Sequence, residues 1–439
     1  MPKVAGLAAF CYICGMKIDL EKIMYRELRS GLDLVKAISD LGYETCLAGG
    51  CVREFIRHYH RQVDILDIHD IDIATAAPIS VLKEHFRTES NNGEKHGTIL
   101  VFQDGIPFEV THFRADGEYS DGRHPDSVEL VSTFREDAAR RDFTINAMGM
   151  TWDGEILDYY GGVEDVGNKT IRTVGNPVDR FIEDSLRIIR GIRFAMNLGY
   201  IITEETIDGM TNCSGYLKNV ANERIRDEFL KLNKLNDDGL YDFMRIVTRV
   251  GAVHSIKAFR DISYVTIMKL RSLKHLTKKN LFPAIAALLG YNADLEGFVP
   301  TREERKLYGW YTSYKWLFNP GAVPEMDVFW TTLVDMASGD YATLFDMYLA
   351  SAAELPWLEF AFPKAIYIAK TKNKPQMSLY TKRVQGMGIQ PGKEFGIKVR
   401  ELIEEEYGKI AESIPSEQKV MNIGENVKLV YRLVGAEEC

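Results

Sequence analysis

The sequence has no apolar run long enough to cross a bilayer, which takes about 20 residues. Its one apolar terminal stretch, Val4 to Met16, follows a single basic residue, Lys3, and carries no convincing small-residue cleavage site. It reads as a loose tail ahead of a start at Met16, and no membrane partner is expected. Cysteine is scarce, with six at positions 11, 14, 46, 51, 213 and 439. Cys11 and Cys14 form one CxxC, but no second pair follows at zinc-ligand spacing. The expectation is therefore six free thiols in a reducing, cytoplasmic compartment, and not a zinc module. Excess positive charge is also missing. The net charge of −9 argues against coating nucleic acid in bulk, although a local basic groove remains open. There is no internal repeat and no low-complexity tract. His254 and His275 lack nearby Asp partners, so no His-Asp pair suggests a phosphohydrolase.

What is present is an ordinary globular composition, 46% apolar and 27% charged, over 439 residues, enough for roughly three domains. Residues 17–150 read as α/β. A helical stretch at 21–41 leads to a strand at Thr45–Ala48, a Gly49-Gly50 turn and a helix at 51–60. A second strand follows at 68–74, and then a hairpin, 97–103 with 107–113, around Asp104-Gly105. Residues 114–127 are polar and rich in turn formers, and read as a mobile loop. Asn176-Pro177 starts a helix that the pattern carries to Leu198, with Gly199 ending it. Residues 215–439 look helical throughout, and the oligomeric state is not readable.

In Ile68-His69-Asp70-Ile71-Asp72-Ile73-Ala74, acidic and apolar residues alternate. On a strand, positions i and i+2 share a face, so Asp70 and Asp72 point together. Paired carboxylates repel unless a cation sits between them, and hard oxygen ligands suit magnesium. Upstream, the glycine turn lets backbone N–H groups approach a phosphate at a helix N-terminus, and Arg53 adds charge there. Downstream, Glu109 on the second hairpin strand is a third candidate carboxylate. Together these describe a two-metal phosphoryl-transfer site.

These residues resemble a known family. Gly49-Gly50-Cys51-Val52-Arg53 followed by Asp70-Ile71-Asp72 is similar to the first signature of polymerase-beta-like nucleotidyltransferases. Arg140-Arg141-Asp142-Phe143-Thr144-Ile145-Asn146-Ala147-Met148 resembles the second signature of class II (bacterial-type) CCA-adding enzymes and poly(A) polymerases. Asp179 to Arg187, continuing to Arg190 and Arg193, looks like their nucleotide-selecting helix, and Glu223-Arg224-Ile225-Arg226 fits a later helix motif. One departure is Glu54, where the family usually has Asp.

The resemblance implies an α/β nucleotidyltransferase head (17–150) followed by an all-helical neck (151–235) and a body and tail (236–439) that bind tRNA. It implies two magnesium ions on Asp70 and Asp72. Nucleotide contacts fall to Gly49, Gly50, Arg53, Arg141, Asp142, Asn146, Asp184, Arg187, Arg190 and Arg193. The implied reaction adds C, C and A to the tRNA 3′ end from CTP and ATP without a template. A poly(A) polymerase or a partial CC- or A-adding enzyme would share nearly every motif. A non-catalytic RNA-binding protein on the same scaffold would not need the paired acids. In the family, partial adders tend to have the segment equivalent to 114–127 shortened or altered, and here it looks full-length.

Physical chemistry supports the selecting helix independently. On one helix, Asp184, Arg187 and Arg190 recur every three residues near one face. Cytosine and adenine both offer an amine donor beside a ring-nitrogen acceptor, which an Asp and an Arg complement. Uracil and guanine offer the reverse, and the unpaired groups cost roughly 1–3 kcal/mol each. In the helical half, basic stretches at 269–279 and 364–383, the latter around Tyr367 and Tyr380, are candidate RNA contacts. The turn Gly388 to Lys393 reads as a hairpin able to take a backbone phosphate.

Overall fold

The computed structural model describes residues 16–20, 25–63, 68, 70–90, 93–94, 97–117, 128–236, 238–260, 262–289, 295–314, 329–340, 343–344, 364–365, 368–369 and 377–413. The chain forms two compact units, 1–234 with 242–261, and 235–241 with 262–439. Among the described residues no helix is long and apolar enough to cross a membrane.

The first unit is built on a seven-stranded mixed sheet. Its elements begin with α1 (Arg26–Asp40), β1 (Thr45–Ala48), α2 (Gly50–Tyr59), β2 (Asp72–Thr75) and α3 (Ile79–His85). Then come β3 (Arg87–Glu89), β4 (Thr98–Gln103), β5 (Ile106–His112), β6 (Arg114–Asp116), β7 (Val128–Leu130), α4 (Phe134–Ala139), β8 (Met148–Met150), β9 (Ile156–Asp158) and α5 (Gly162–Gly167). The sheet order is β3-β4-β5-β2-β1-β8-β9, so the sheet runs on past residue 150. Among the described strands of this sheet only β2 and β5 pair in parallel, and their register sets Asp72 opposite Glu109. Apolar side chains from both ends of this segment, including Cys46, Ala74, Phe113, Phe134 and Ala147, close one core cluster beneath β1.

The β4–β5 turn is short because Asp104 (φ 52°) and Gly105 (φ 80°) both take the left-handed region that a two-residue hairpin turn requires. Ser30 donates to the Asp104 carboxylate at 2.7 Å, tying α1 to this turn. Residues 114–116, read from the sequence as the start of a loop, form a short strand paired antiparallel with 128–130. Side-chain-rich turn composition hides such an arm, because its strands are only three residues long. Residues 118–127 lie outside the described residues.

The unit continues through β10 (Thr170–Ile171), α6 (Pro177–Glu183), α7 (Leu186–Leu198), β11 (Ile201–Ile202), α8 (Glu204–Cys213) and α9 (Asn222–Leu230). The expected single helix from 176 to 198 is thus broken. Asn176 caps its start through the Val178 N–H at 2.8 Å, as the Asn-Pro pair predicted. But Asp184 is extended (φ −147°, ψ 100°), and its carboxylate accepts the Leu186 N–H at 3.1 Å. An Asp that can cap a following turn competes with helix continuation, and here the cap wins.

In the second unit the described elements are helices, among them Tyr264–Lys269, Leu281–Leu289, Arg302–Ser313, Phe329–Ser338, Met377–Gly386 and Lys393–Ser413. Thr301 and Glu304 form a reciprocal cap on Arg302–Ser313. Asn280, Tyr311 and Thr343, all buried, and the half-buried Asp340 make a polar network, with Tyr311 donating to Asp340 at 2.7 Å. Of the two basic stretches, 269–279 leaves Lys274, Lys278 and Lys279 exposed, while Arg271 pairs with Asp238 at 2.9 Å. In the other, Tyr380 is buried and Lys364 donates to the Ala411 carbonyl. Tyr367, Lys370, Lys372 and Lys374 lie outside the described residues. The turn before Lys393 is present, with Gly388 at φ 79°.

Candidate functional site

A cavity of about 810 Å³ opens in the first unit, where the β1–α2 turn, β2, β5, the segment after α4, and the ends of α6, α7 and α9 converge. The turn is possible because Gly49 sits at φ 77° and ψ −126°, and a Cβ there would stand 3.1 Å from Nη1 of Arg141. A side chain at 49 would therefore be strained and would push Arg141 from the cavity wall. Gly50 starts α2 without such crowding.

Asp70, Asp72 and Glu109 all line the cavity. The expected alternation is present: Asp70 and Asp72 are exposed, Ile71 and Ile73 buried. The hydrogen-bonded strand begins only at Asp72, leaving Asp70 just ahead of it. The Asp72 carboxyl is raised above the usual Asp value, first by loss of surrounding water, then by Glu109, with Asp70 adding and Arg141 opposing. A divalent cation relieves that like-charge crowding, so the oxygen donors present fit a hard divalent cation such as magnesium. Among the described residues no group of three or more His, Cys, Asp or Glu is gathered closely enough to hold a metal ion. Glu109 stands opposite Asp72 on β5 and lines the same cavity. Beside the pair, burial pushes the Cys51 thiol up to about 12 and Cys46 well up, so neither is a nucleophile near neutrality.

The arginine-rich wall is held by carboxylates. Asp137, 1% exposed, accepts from Arg140 at 2.7 and 3.0 Å and from Arg141 at 3.0 and 3.2 Å. It also accepts the Arg114 N–H at 3.3 Å, at the root of β6. Burial opposes its charge, but Arg141 and then Arg140 outweigh it and hold the carboxyl below the usual range. Asp142 is buried; it accepts the Phe143 N–H and the Asn146 amide and pairs with Arg190 at 2.6 Å. Against burial, Arg190, the Asn146 bond and Arg187 keep it low. Asn146 in turn accepts from Arg53, which also pairs with Glu54 at 3.1 Å. Glu54 bridges Arg53 to Arg57, so the departure from Asp leaves Arg53 anchored.

The break at Asp184 turns its carboxylate into the cavity, where Arg187 and Arg190 also lie. Asp184 therefore meets them through a turn, while Arg187 and Arg190, three residues apart on α7, share a helix face as expected. Arg224 of α9 grips Asp184 at 2.8 and 3.3 Å. Arg187 bonds Glu183 at 2.7 Å and the carbonyls of Arg180 and Arg140 at 3.2 and 3.1 Å. Arg193 departs from expectation. It does not line the cavity but is buried and paired with Glu228 at 2.6 Å. One further helical turn carries it past the pocket. Asp137, Arg140, Arg224 and Phe194 were not singled out as site residues from the sequence. The i+3 and i+4 spacing from Asp137 to Arg140 and Arg141 is a signal that could have found the first two.

Residues 45–172 match the model of the poly A polymerase head domain, and residues 199–232 that of the probable RNA and SrmB-binding site of polymerase A. The first half of the chain is thus similar to poly A polymerase heads and to CCA-adding enzymes. Its similarity to curated CCA-adding enzymes is concentrated there. The CCA-adding enzyme of Limosilactobacillus reuteri is 42% identical over 199 residues, 45% of this chain and 48% of that protein. The one from Enterococcus faecalis is 40% identical over 206 residues, 47% and 49%. The chain thus matches about half the length of these relatives. In fold the likeness to the family extends further. The structure of the Bacillus stearothermophilus CCA-adding enzyme in complex with CTP superposes with TM-score 0.66 at 23% identity, covering 90% of this chain and 95% of that one. The Thermotoga maritima CCA-adding enzyme complexed with tRNA gives 0.63 at 17% identity, covering 95% and 99%. The α/β head followed by a helical remainder is the family's fold.

Proposed function

We propose that this chain is a CCA-adding tRNA nucleotidyltransferase that adds C, C and A to the tRNA 3′ end from CTP and ATP, without a template. The observation carrying this reading is one cavity that gathers the Asp70/Asp72 pair, the glycine turn and the Asp184/Arg187 pair. Curated CCA-adding enzymes matching its first half support it. Two magnesium ions, held by Asp70 and Asp72, would supply charge neutralisation at the attacking 3′ hydroxyl and the leaving pyrophosphate. The backbone N–H groups at the start of α2, with Arg53 and Arg190, bind the triphosphate. Arg141, Asp142 and Asn146 orient the sugar and phosphates. Asp184 and Arg187 read the base. Buried thiols at Cys46, Cys51 and Cys213 are in keeping with a cytoplasmic setting.

Base reading requires donors and acceptors to spare. The Asp184 carboxylate has about four lone-pair sites, of which Arg224 and the Leu186 N–H take three. Arg187 has about five N–H donors, and three bonds engage it. Each keeps capacity for a base edge while held in place. Asp184→Ala and Arg187→Ala are each expected to lower CTP and ATP use and to relax rejection of UTP by roughly 1–3 kcal/mol. Full preference for CTP and ATP in both variants would mean that another element reads the base.

The decisive experiment incubates the chain with tRNA lacking its CCA end and each nucleotide in turn, then sequences the products. Ordered C, C, A addition is the expected result. Long A tails would identify a poly(A) polymerase, a stop after CC or addition of A alone a partial adder, and no extension a binding protein.

A further inference from the structure

The site contains an aromatic ring to which the proposed chemistry assigns no part. Phe194 of α7 is 8% exposed and lines the cavity. Three guanidinium groups approach its ring: Arg193 at 4.2 Å, Arg53 at 5.3 Å and Arg190 at 5.5 Å from the centroid. Arg53 comes from α2 and the other two from α7, so the ring joins the glycine-turn helix to the selecting helix. Phe143, from the Arg140–Met148 motif, meets Phe194 edge-on at 6.0 Å and 81°. Gly191 makes room for this, since a Cβ there would stand 2.6 Å from the Phe143 ring.

Three like charges around one point repel, and in a partly closed cavity the repulsion is poorly screened. Each is partly offset by an acid or amide: Arg53 by Glu54 and Asn146, Arg190 by Asp142, and Arg193 by Glu228. An aromatic face adds what an aliphatic side chain of similar size cannot, because its quadrupole attracts cations and its plane stacks on guanidinium. Of the three arginines, Arg53 and Arg190 line the cavity and Arg193 does not. We propose that Phe194 is a positioning residue for the triphosphate, gathering Arg53 and Arg190 into one anion-binding face while Arg193, anchored by Glu228, stacks on the same ring. This rests on the reading of the cavity as a nucleoside triphosphate site.

The test uses the full chain and inorganic tripolyphosphate, which has neither base nor sugar, with affinity measured by calorimetry. Phe194→Leu and Phe194→Met are expected to weaken tripolyphosphate binding roughly 3- to 30-fold, and Phe194→Tyr to keep it within about two-fold of wild type. In the addition assay, KM for CTP and for ATP should rise together by the same factor. kcat should change little, and the UTP-to-CTP ratio should not move. Thermal midpoints identify any variant that fails to fold; Leu and Met are both made so that one folded ring-less form is measured. Unchanged tripolyphosphate affinity in the folded ring-less variant overturns the proposal. So does a Tyr variant as weak as that form, since the ring would then be filler. No tripolyphosphate binding by wild type also overturns it. Ring-dependent tripolyphosphate binding in a protein that extends no tRNA would keep the role of Phe194 and sink CCA addition.

Discussion

Asp72→Asn should abolish nucleotide addition, by on the order of 10³-fold or more, while tRNA affinity stays within a few-fold. Asp72 is one half of the carboxylate pair, and nothing else on its strand replaces the lost charge. The amide keeps the shape, so the loss reports charge and not packing. The same substitution should raise the thermal midpoint in the absence of divalent cations. Asp72 faces Glu109 across the parallel β2–β5 pair and has Asp70 two residues away, and its carboxyl is raised by loss of surrounding water in the cavity and by both neighbours. A carboxyl with a raised folded value binds more protons folded than unfolded, so stability is lost as pH climbs from the ordinary Asp value through the raised one. The advantage of Asn should therefore vanish in acid and be full above that window. A turnover assay and pH-resolved melting measure the two effects. Normal turnover by Asp72→Asn would end the two-metal reading, and a lowered midpoint would mean that Asp72 is not crowded.

Asp137→Ala is expected to cost about 3–5 kcal/mol of stability, the usual effect of breaking a buried ion pair from one side. The carboxylate serves Arg140, Arg141 and the Arg114 backbone together, so its removal takes the ion-pair partner from two guanidiniums that keep carbonyl acceptors. Activity should fall as well, in kcat more than in affinity for tRNA, because Arg141 loses the clamp that aims it past Gly49. Asp137 and Asp142 both titrate below the usual Asp range. Their contribution is present above about 3.9 and is lost as pH falls through the depressed folded values. Wild type should thus lose stability in acid more steeply than Asp137→Ala, which denaturant melts at several pH values will reveal. A variant as stable and as active as wild type would show that Asp137 is not a hub.

The sequence by itself determined the features written in short-range pattern. The strand Thr45–Ala48, the Gly49-Gly50 turn, the alternation from Asp70 to Ile73 and the Asp104-Gly105 hairpin were all legible. Each follows from a backbone or side-chain period spanning a few residues, and Gly, Asn and Asp mark turns wherever they lie. The family motifs extended that reading to the residues of the cavity wall. Tertiary structure decided what depends on partners distant in the chain. Asp184 leaves the helix because its carboxylate caps Leu186 and meets Arg224, 40 residues on. A period of 3.6 carries no trace of that competition. Arg193 shares the spacing of Arg187 and Arg190, yet Glu228, 35 residues away, draws it into the interior. Asp72 stands opposite Glu109 only because β2 and β5 pair in parallel. Phe194 reads as one more apolar position in a helix until Arg53, from another element, arrives over its ring. A charge declares its type in the sequence, but its partner is chosen by packing, and packing joins residues that no local pattern connects.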